Sequence, residues 1–358
     1  MPRFEMHEDV TRASTIPSAF YTDPQLYEES KERIFAKSWQ FVTHLDSVQV
    51  PGQTYPFTLL EGCLDEPLLF TRDMDDRVHC MSNVCTHRGN IVCEGAGQAS
   101  SLRCRYHGRR FNLDGSFKSM PEFDDVQGFP SEKDNLPKVD FAQWRGFFFC
   151  NLSPQFPLNE QLKEVDDLCG FMPIEDFVHD ASGQRDYVVK CHWALYVDNY
   201  LEGFHIPFVH ADLSEALDYG DYSTILHKHG NLQLGIGSDE CFDLPRGHPY
   251  EKESVAAFYF WLYPNLMLNF YPWGLSVNVV RPVGPSQTKV TFIPFVWDES
   301  KRTSGAGAAL DRVEREDEAI VEMVQKGVRS RYYDRGRYSP PRESGVHQFH
   351  QMIAESMR

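Results

Sequence analysis

Long apolar runs are missing from this chain of 358 residues. No segment approaches the roughly 18 apolar residues that cross a bilayer, and the longest runs, such as Gly146–Cys150, have the length of a strand. The opening MPRFEMHEDVTRAST lacks the apolar core of a secretory leader. Positive charge is scarce as well, with 35 Lys+Arg against 52 Asp+Glu and a net charge of −17. So acidic a protein has few cations to replace phosphate counterions, which excludes general nucleic-acid binding. Internal repeats and low-complexity tracts are absent. The nine cysteines are an odd number in a long chain, so they do not form a small disulfide scaffold. The expectation is a cytoplasmic protein with no membrane or nucleic-acid partner. Its reduced thiols are then buried small hydrophobes or metal ligands.

What is present falls into three stretches. Residues 1–38 read as a polar leader with one helix, capped by Asp23 ahead of Pro24, with Leu26, Ile34 and Trp39 on one side. Residues 39–153 alternate short β-rich runs (SWQFV, YPFTLL, PLLFTR, VHCMSNV, RGFFFCNL) with turns, the pattern of an all-β domain. Residues 154–358 form a second, mixed domain, opened by a looser stretch with Pro154, Pro157 and Pro173. In it, 185–193 reads as a strand, 194–206 as a helix, and 254–299 as three or four antiparallel strands. Residues 308–329 make the strongest helix, and the tail after Gly336, with Pro340-Pro341, reads as irregular. The fold class expected is therefore α+β.

Two clusters of metal-binding residue types stand out. The first is CTHRGNIVCEGAGQASSLRCRYH, where Cys85-x-His87 and Cys104-x-x-His107 are separated by sixteen residues. Two thiolates and two imidazoles suit a tetrahedral Zn²⁺, or a [2Fe–2S] cluster whose cysteines hold one iron and histidines the other. The Cys-x-His spacing is not that of a zinc knuckle. Gly89, Gly95, Gly97 and Gly108 also allow a close backbone approach to inorganic sulfide. Cys93, inside the same loop, is the competing thiol; the other cysteines form no such pairs.

The second cluster is DNYLEGFHIPFVH. If Asp198 to His205 is helical, Asp198, Glu202 and His205 fall within about 60° of one another, and a break at Pro207 lets His210 swing back. Two histidines beside a carboxylate favour a metal over a structural role. The late helix offers the third ligand. Its apolar stripe runs through Leu310, Val313, Ile320, Val321, Val324 and Val328, and Asp317 interrupts it where a core residue belongs. A carboxylate there is costly unless paired or bound to metal. Glu314 and Glu318 flank the stripe as weaker competitors, while Asp311, Glu316 and Glu322 read as a solvated face. His205, His210 and Asp317 would form a 2-His-1-carboxylate triad with open positions for O₂ and substrate.

These motifs resemble those of the Rieske non-haem iron oxygenases. CTHRGN and CRYHGRRFNLDGSF are similar to the family's cluster-binding loops, although Arg105 and Arg109 stand where Pro and Trp are more common. Glu202-x-x-His205-x4-His210 resembles the mononuclear iron motif, and EDEAIVEMVQKG the third-ligand helix, with Asp317 in the ligand place and Gln325 eight residues on. Glu rather than Asp at 202 resembles the branch acting on choline, glycine betaine and carnitine. The resemblance implies a Rieske domain over 39–153 and a helix-grip catalytic domain over 154–358, an antiparallel sheet around a long helix. It implies a [2Fe–2S] cluster on Cys85, His87, Cys104 and His107, and one mononuclear Fe(II) on His205, His210 and Asp317. Electrons would come from NAD(P)H through a separate flavin/iron–sulfur reductase or ferredoxin. In a head-to-tail homotrimer they would pass from one subunit's cluster to its neighbour's iron, with Glu202 bridging His107 and His205 and with Asp198 supporting that bridge or lining the site.

The activity so implied is monooxygenation of a small substrate, by hydroxylation or N-demethylation of a methylated ammonium compound. An aromatic-ring oxygenase is the alternative, and an electron carrier or a zinc-stabilised binding module stands further off. Tyr259, Trp261 and Tyr263 alternate on one strand, either as an aromatic cage or, more commonly, as packed core. Arg103, Arg105, Arg109 and Arg110 surround the second cluster loop as a docking surface for an acidic donor, as a solvated face or as a trimer interface. His347 and His350 read as surface or subunit-contact residues.

Overall fold

A computed structural model of the chain describes residues 4–210, 223–237, 240–302 and 310–358, Leu310 by its backbone alone. Residues 308–309, expected in the late helix, and the Leu310 side chain of the apolar stripe lie outside the described residues. The chain divides into two units, Ala36–Gln155 on one hand and Met1–Phe35 with Phe156–Arg358 on the other.

The first unit is built from short strands: β1 (Gln40–His44), β2 (Gln53–Leu59), β3 (Glu66–Arg72), β4 (Val78–Ser82), β5 (Gly97–Gln98), β6 (Leu102–Arg103), β7 (Arg110–Phe111), β8 (Phe117–Ser119), β9 (Asp140–Trp144) and β10 (Phe147–Asn151). They pair into three small antiparallel sheets, in the orders β1-β10-β9, β4-β3-β2-β5 and β6-β7-β8. GFFFC supplies β10, which is buried along its whole length between β1 and β9. Leu69, Met81, Val92, Leu102, Phe111, Leu113 and Leu136 close a core against which Cys85 and Cys104 lie.

Arg109 corrects the docking-surface expectation. It is 2 % exposed. Its guanidinium donates to Asp134 Oδ1 at 2.6 Å and sits over the rings of Phe111, Phe117 and Phe129 at 5.7, 5.2 and 5.4 Å. A planar cation stacks on aromatic faces as an indole would, which accounts for Arg where Trp is more common.

In the second unit β11 (Val178–His179), β12 (Arg185–Val189), β13 (Ser223–His227), β14 (Gly230–Ile236), β15 (Val255–Leu262), β16 (Leu266–Tyr271), β17 (Gly274–Gly284) and β18 (Gln287–Val296) make one antiparallel sheet. Its order is β11-β18-β17-β16-β15-β14-β13, with β12 also paired to β18. The four strands expected over 254–299 are β15 to β18; β13 and β14 were not foreseen. The strand expected over 185–193 ends at Val189.

The helices of this unit are α1 (Ala19–Thr22), α2 (Pro24–Arg33), α3 (Leu158–Gln161), α4 (Lys163–Cys169), α5 (Trp193–Tyr200), α6 (Ile206–Val209), α7 (Leu310–Gly327) and α8 (Ser344–Ser356). Asp23 caps α2 as expected, its side chain accepting from Gln25 N–H. The helix ends before Ile34, however, so Trp39 is not part of its face. Nor is the leader a separate piece: Arg337 Nε donates to Ala13 O, and Thr15 N–H donates to Gly336 O.

The tail is helical, contrary to expectation. Val346, Phe349 and Ile353 give α8 a buried face, and Phe349 packs on Trp193 and Trp261 with ring centroids 5.6 and 5.1 Å apart. His347 and His350, placed at the surface by the sequence reading, are both buried on that helix. The two polar residues hid the apolar period.

Arg109 yields a test of the first unit. Replacing it with Met leaves Asp134 held by Ser131 alone and should cost about 1.5–3 kcal/mol, read as a lower melting temperature of the full chain.

Candidate metal centres

Two loops of the first unit have the same local construction. In one, Cys85 N–H donates to Asn90 O and Gly89 N–H to Cys85 O; in the other, Cys104 N–H donates to Arg109 O and Gly108 N–H to Cys104 O. Each turns at a glycine of positive φ, 71° at Gly89 and 78° at Gly108, where a Cβ is strained. The loops present their residues in pairs. The thiols of Cys85 and Cys104 are within hydrogen-bonding reach of each other, and burial pushes that of Cys85 up. The rings of His87 and His107 are 4.7 Å apart. Burial, then the charge of His107, holds His87 below the ordinary imidazole range, and neutral imidazole is the form that binds metal. His107 Nδ1 is buried with no hydrogen-bond partner among the described residues. Two buried thiols, two half-buried imidazoles and an orphaned ring nitrogen fit a cluster with sulfur on one iron and nitrogen on the other. Cys93, the competing thiol, points instead to Thr54 Oγ1 and Gly95 O.

The second centre forms where α5 gives way to α6. The continuous helix expected over 194–206 does not exist: α5 stops at Tyr200, and α6 is a separate turn with His205 and His210 at its two ends. Pro207 lies in the first turn of α6, where a missing N–H costs nothing. The break therefore comes before Glu202 rather than after His205. Glu202 grips His205 twice, Oε2 accepting its backbone N–H at 3.0 Å and Oε1 facing Nδ1 at 2.7 Å.

The long helix α7 brings in Asp317. Its Oδ1 lies 3.0 Å from His210 Nε2 and 3.4 Å from His205 Nε2. The three side chains offer ligand atoms within 4.8 Å of one another. Both imidazoles turn Nε2 inward, and their outer nitrogens are held by carboxylates. Glu316 Oε2 meets His210 Nδ1 at 2.7 Å. Such outer partners fix the ring that a metal then meets. Glu316, assigned to a solvated face by sequence, belongs to the site. The signal was its place beside Asp317, but a helical wheel cannot tell which neighbour reaches a histidine from another helix.

The electrostatics follow from this pairing. Burial disfavours charge on His205, yet its hydrogen bonds to Asp317 and Glu202 outweigh that and hold it at about 9. Burial opposes the Asp317 carboxylate too, and the same two histidines win, keeping it below its ordinary range. Those protons occupy the place a divalent cation would take.

The competitors separate clearly. Glu318 makes no contact with either histidine. Glu314 is buried, and its Oε2 accepts from the Tyr196 hydroxyl at 2.6 Å. Burial pushes its carboxyl up to about 8. Asp198 does not share a face with His205. Its Oδ2 accepts from Tyr21 at 2.7 Å and its Oδ1 faces His350 Nε2 at 2.9 Å. Ile16 N–H donates to Nδ1 of that ring, so a neutral His350 donates to Asp198 through Nε2. Asp198 lines a second cavity that Glu202 and His205 also border.

A cavity of about 120 Å³ opens beside the triad, comparable to one that admits a benzene ring. Tyr196, Tyr200, Tyr259, Tyr271 and Phe292 line it together with the amides Asn199, Gln233, Asn269 and Asn278. The aromatic strand divides. Tyr259 faces the cavity, edge-on to Tyr271 at 5.8 Å, whereas Trp261 packs under Phe349 and Tyr263 donates to Ser356 Oγ.

Glu314→Gln probes the buried carboxyl. Its contribution to stability is full below the unfolded carboxyl range near 4.5 and is lost as pH rises through about 8. In the metal-free protein the variant should match the parent near pH 5 and melt several degrees higher at pH 8.5, as seen by thermal denaturation at both pH values.

The profile of the ring hydroxylating alpha subunit (catalytic domain) matches residues 175–358, and that of the Rieske [2Fe-2S] domain matches residues 38–130. Choline monooxygenase of Arabidopsis thaliana is 30% identical over 99% of this chain and 86% of its own. The carnitine monooxygenase oxygenase subunit of Escherichia coli K12 is 31% identical over 96% and 94%. A crystal structure of the quaternary ammonium Rieske monooxygenase CntA superposes with a TM-score of 0.82 at 25% identity, over 99% of this chain and 100% of that one. A naphthalene 1,2-dioxygenase, at 16% identity and a TM-score of 0.75, shares the fold. With an all-β [2Fe–2S] domain joined to an α+β catalytic domain of the ring hydroxylating alpha subunit family, the chain belongs to the Rieske non-haem iron oxygenases.

Proposed function

We propose that this oxygenase hydroxylates or oxidatively N-demethylates a small methylated ammonium compound. The observation that carries the reading is the small cavity beside His205, His210 and Asp317, walled by Tyr259 and Tyr271. Aromatic faces attract quaternary ammonium groups, which hydrogen bonds cannot hold. The kinship with choline and carnitine monooxygenases supports the same class.

In this reading Cys85 and Cys104 would hold one iron of the cluster and His87 and His107 the other, while His205, His210 and Asp317 would hold the mononuclear iron. When bound, these groups supply single electrons and O₂ activation, respectively. The chain's own residues set the frame. Glu202 and Glu316 keep each Nε2 turned inward, and Asp198, through Tyr21 and His350, fastens α1 and α8 to α5. His107, whose buried and unpartnered Nδ1 would meet the cluster, would have Nε2 left for a partner. In a homotrimer that partner would be Glu202 of a neighbouring copy; inter-subunit electron transfer is reported for the quaternary ammonium monooxygenase structure. A separate flavin/iron–sulfur reductase or ferredoxin would supply electrons from NAD(P)H, docking on exposed Arg103, Arg105 and Arg110. Nine cysteines outside any disulfide accord with a cytoplasmic setting, and no described helix is long and apolar enough to cross a membrane.

Oxygen uptake with a reductase, measured against choline, betaine, carnitine and simple aromatics, tests the substrate class. Uptake stimulated only by an aromatic compound would overturn it. Glu202→Gln should keep both metals, by iron assay and visible spectrum, yet lose roughly 10–100-fold in product formed per O₂ consumed. Product formation at the parent rate would remove the coupling role.

A further inference from the structure

Asn90 reaches both cysteines of the first centre, one with its backbone and one with its side chain. Its carbonyl oxygen accepts the Cys85 N–H at 2.8 Å. Its side-chain Nδ2 donates to Ile91 O at 2.7 Å and to Cys104 Sγ at 3.6 Å. An amide nitrogen carries two hydrogens, so both bonds can be made at once. Ile91 O can only accept, which fixes the nitrogen end of the amide toward the sulfur. Cys85 is served differently, its sulfur taking a hydrogen bond from the backbone N–H of His87. A side-chain substitution leaves that backbone donor in place, whereas the bond from Asn90 to Cys104 can be removed by one.

The surroundings give that bond weight. Cys104 is 1% exposed and packs among Leu102, Phe111 and Leu113, while Asn90 is half-buried beside it. Where water is excluded, a fixed N–H dipole takes over the stabilisation of charge on sulfur. A cluster held by Cys85 and Cys104 gains negative charge when it is reduced, and its sulfurs share that charge. A donor aimed at a ligand sulfur stabilises the reduced state more than the oxidised one, and so raises the reduction potential.

We propose that Asn90 is a positioning residue that raises the reduction potential of the cluster through its hydrogen bond to Cys104 Sγ. The inference rests on the ligand set Cys85, His87, Cys104 and His107 given above, and goes beyond it by naming a residue that tunes the centre. The step concerned is the transfer of one electron from the external reductase or ferredoxin to the oxidised cluster. The donor is oxidised by one electron and the cluster reduced by one, and no bond or proton of Asn90 changes hands.

The test is a spectroelectrochemical titration of the full-length protein loaded with iron and sulfide, at one fixed pH, following the visible and EPR spectra of the cluster. Asn90→Leu removes the donor, and its reduction equilibrium should fall about threefold or more, ~28 mV or more for one electron. Asn90→Asp keeps the shape of the side chain but sets a carboxylate beside the sulfur, and should fall further than Asn90→Leu. This order separates electrostatics from packing, since a residue that only filled space would leave the isosteric Asn90→Asp near the parent. A fall of less than threefold in Asn90→Leu, or a smaller fall in Asn90→Asp than in Asn90→Leu, would overturn the proposal. Should one variant not assemble the cluster, the threefold mark applied to the other decides. Loss of the cluster from both overturns the proposal as well, because Asn90 then serves assembly of the centre. An unchanged potential in variants that keep the cluster leaves the ligand set standing and removes only the role of Asn90. A loaded parent protein without a [2Fe–2S] spectrum removes both.

Discussion

The contact on which the catalytic unit depends is that of one carboxylate oxygen, Asp317 Oδ1, with the Nε2 atoms of His205 and His210. It joins residues more than a hundred positions apart, and nothing local would hold them together. An aspartate in the apolar stripe of α7 is tolerated because two imidazoles answer it, and a buried and a half-buried imidazole are tolerated because a carboxylate lies between them. The same three groups can exchange their shared protons for a divalent cation. The buried frame around them has one purpose, which is to keep α5, α6 and α7 in register. Gln325 accepts the backbone N–H of His192, and Glu322 that of Lys190, so α7 is fastened to the chain entering α5 at the far end from the metal.

Along α7, neighbouring acids are driven in opposite directions by their surroundings. Asp317 faces two histidines and stays ionised below its ordinary range, whereas Glu314, one turn earlier, faces a tyrosine hydroxyl and a largely apolar wall and rises to about 8. Two neighbouring carboxyl groups thus hold their protons in separate pH ranges, one answering imidazoles and the other a buried hydroxyl. Glu316 adds a third role, gripping the outer nitrogen of His210. One helical segment of four residues thus supplies a candidate metal ligand, a ring-orienting group and a cavity carboxyl.

The sequence was most legible where the chemistry demands particular residues at short range. That the paired Cys and His of the two loops, and Glu202, His205 and His210, would come together could be read directly, because each set lies within a few residues of chain. The antiparallel strands over 254–299 were legible for a similar reason, their apolar runs being punctuated by Pro and Gly. Legibility failed where polar residues are buried by partners far away. His350 looked like a surface residue until Tyr21, Tyr338 and Asp198 surrounded it. Arg109 looked like part of a basic patch until three phenylalanines and Asp134 enclosed it. The break between α5 and α6 was misplaced because Pro207 drew the eye, although proline is well accommodated in a first turn.

By itself, the sequence determined the two metal-binding chemistries, the all-β character of the first unit and the sheet of the second, since these rest on residue type and local period. Only the tertiary structure decided which acid of α7 reaches the histidines, which hold their rings, and which faces the cavity. Asp317, Glu316 and Glu314 lie within one turn of helix, and local physics treats them nearly alike. What separates them is the environment that α5, α6 and the sheet present to each, a packing outcome no window of sequence contains.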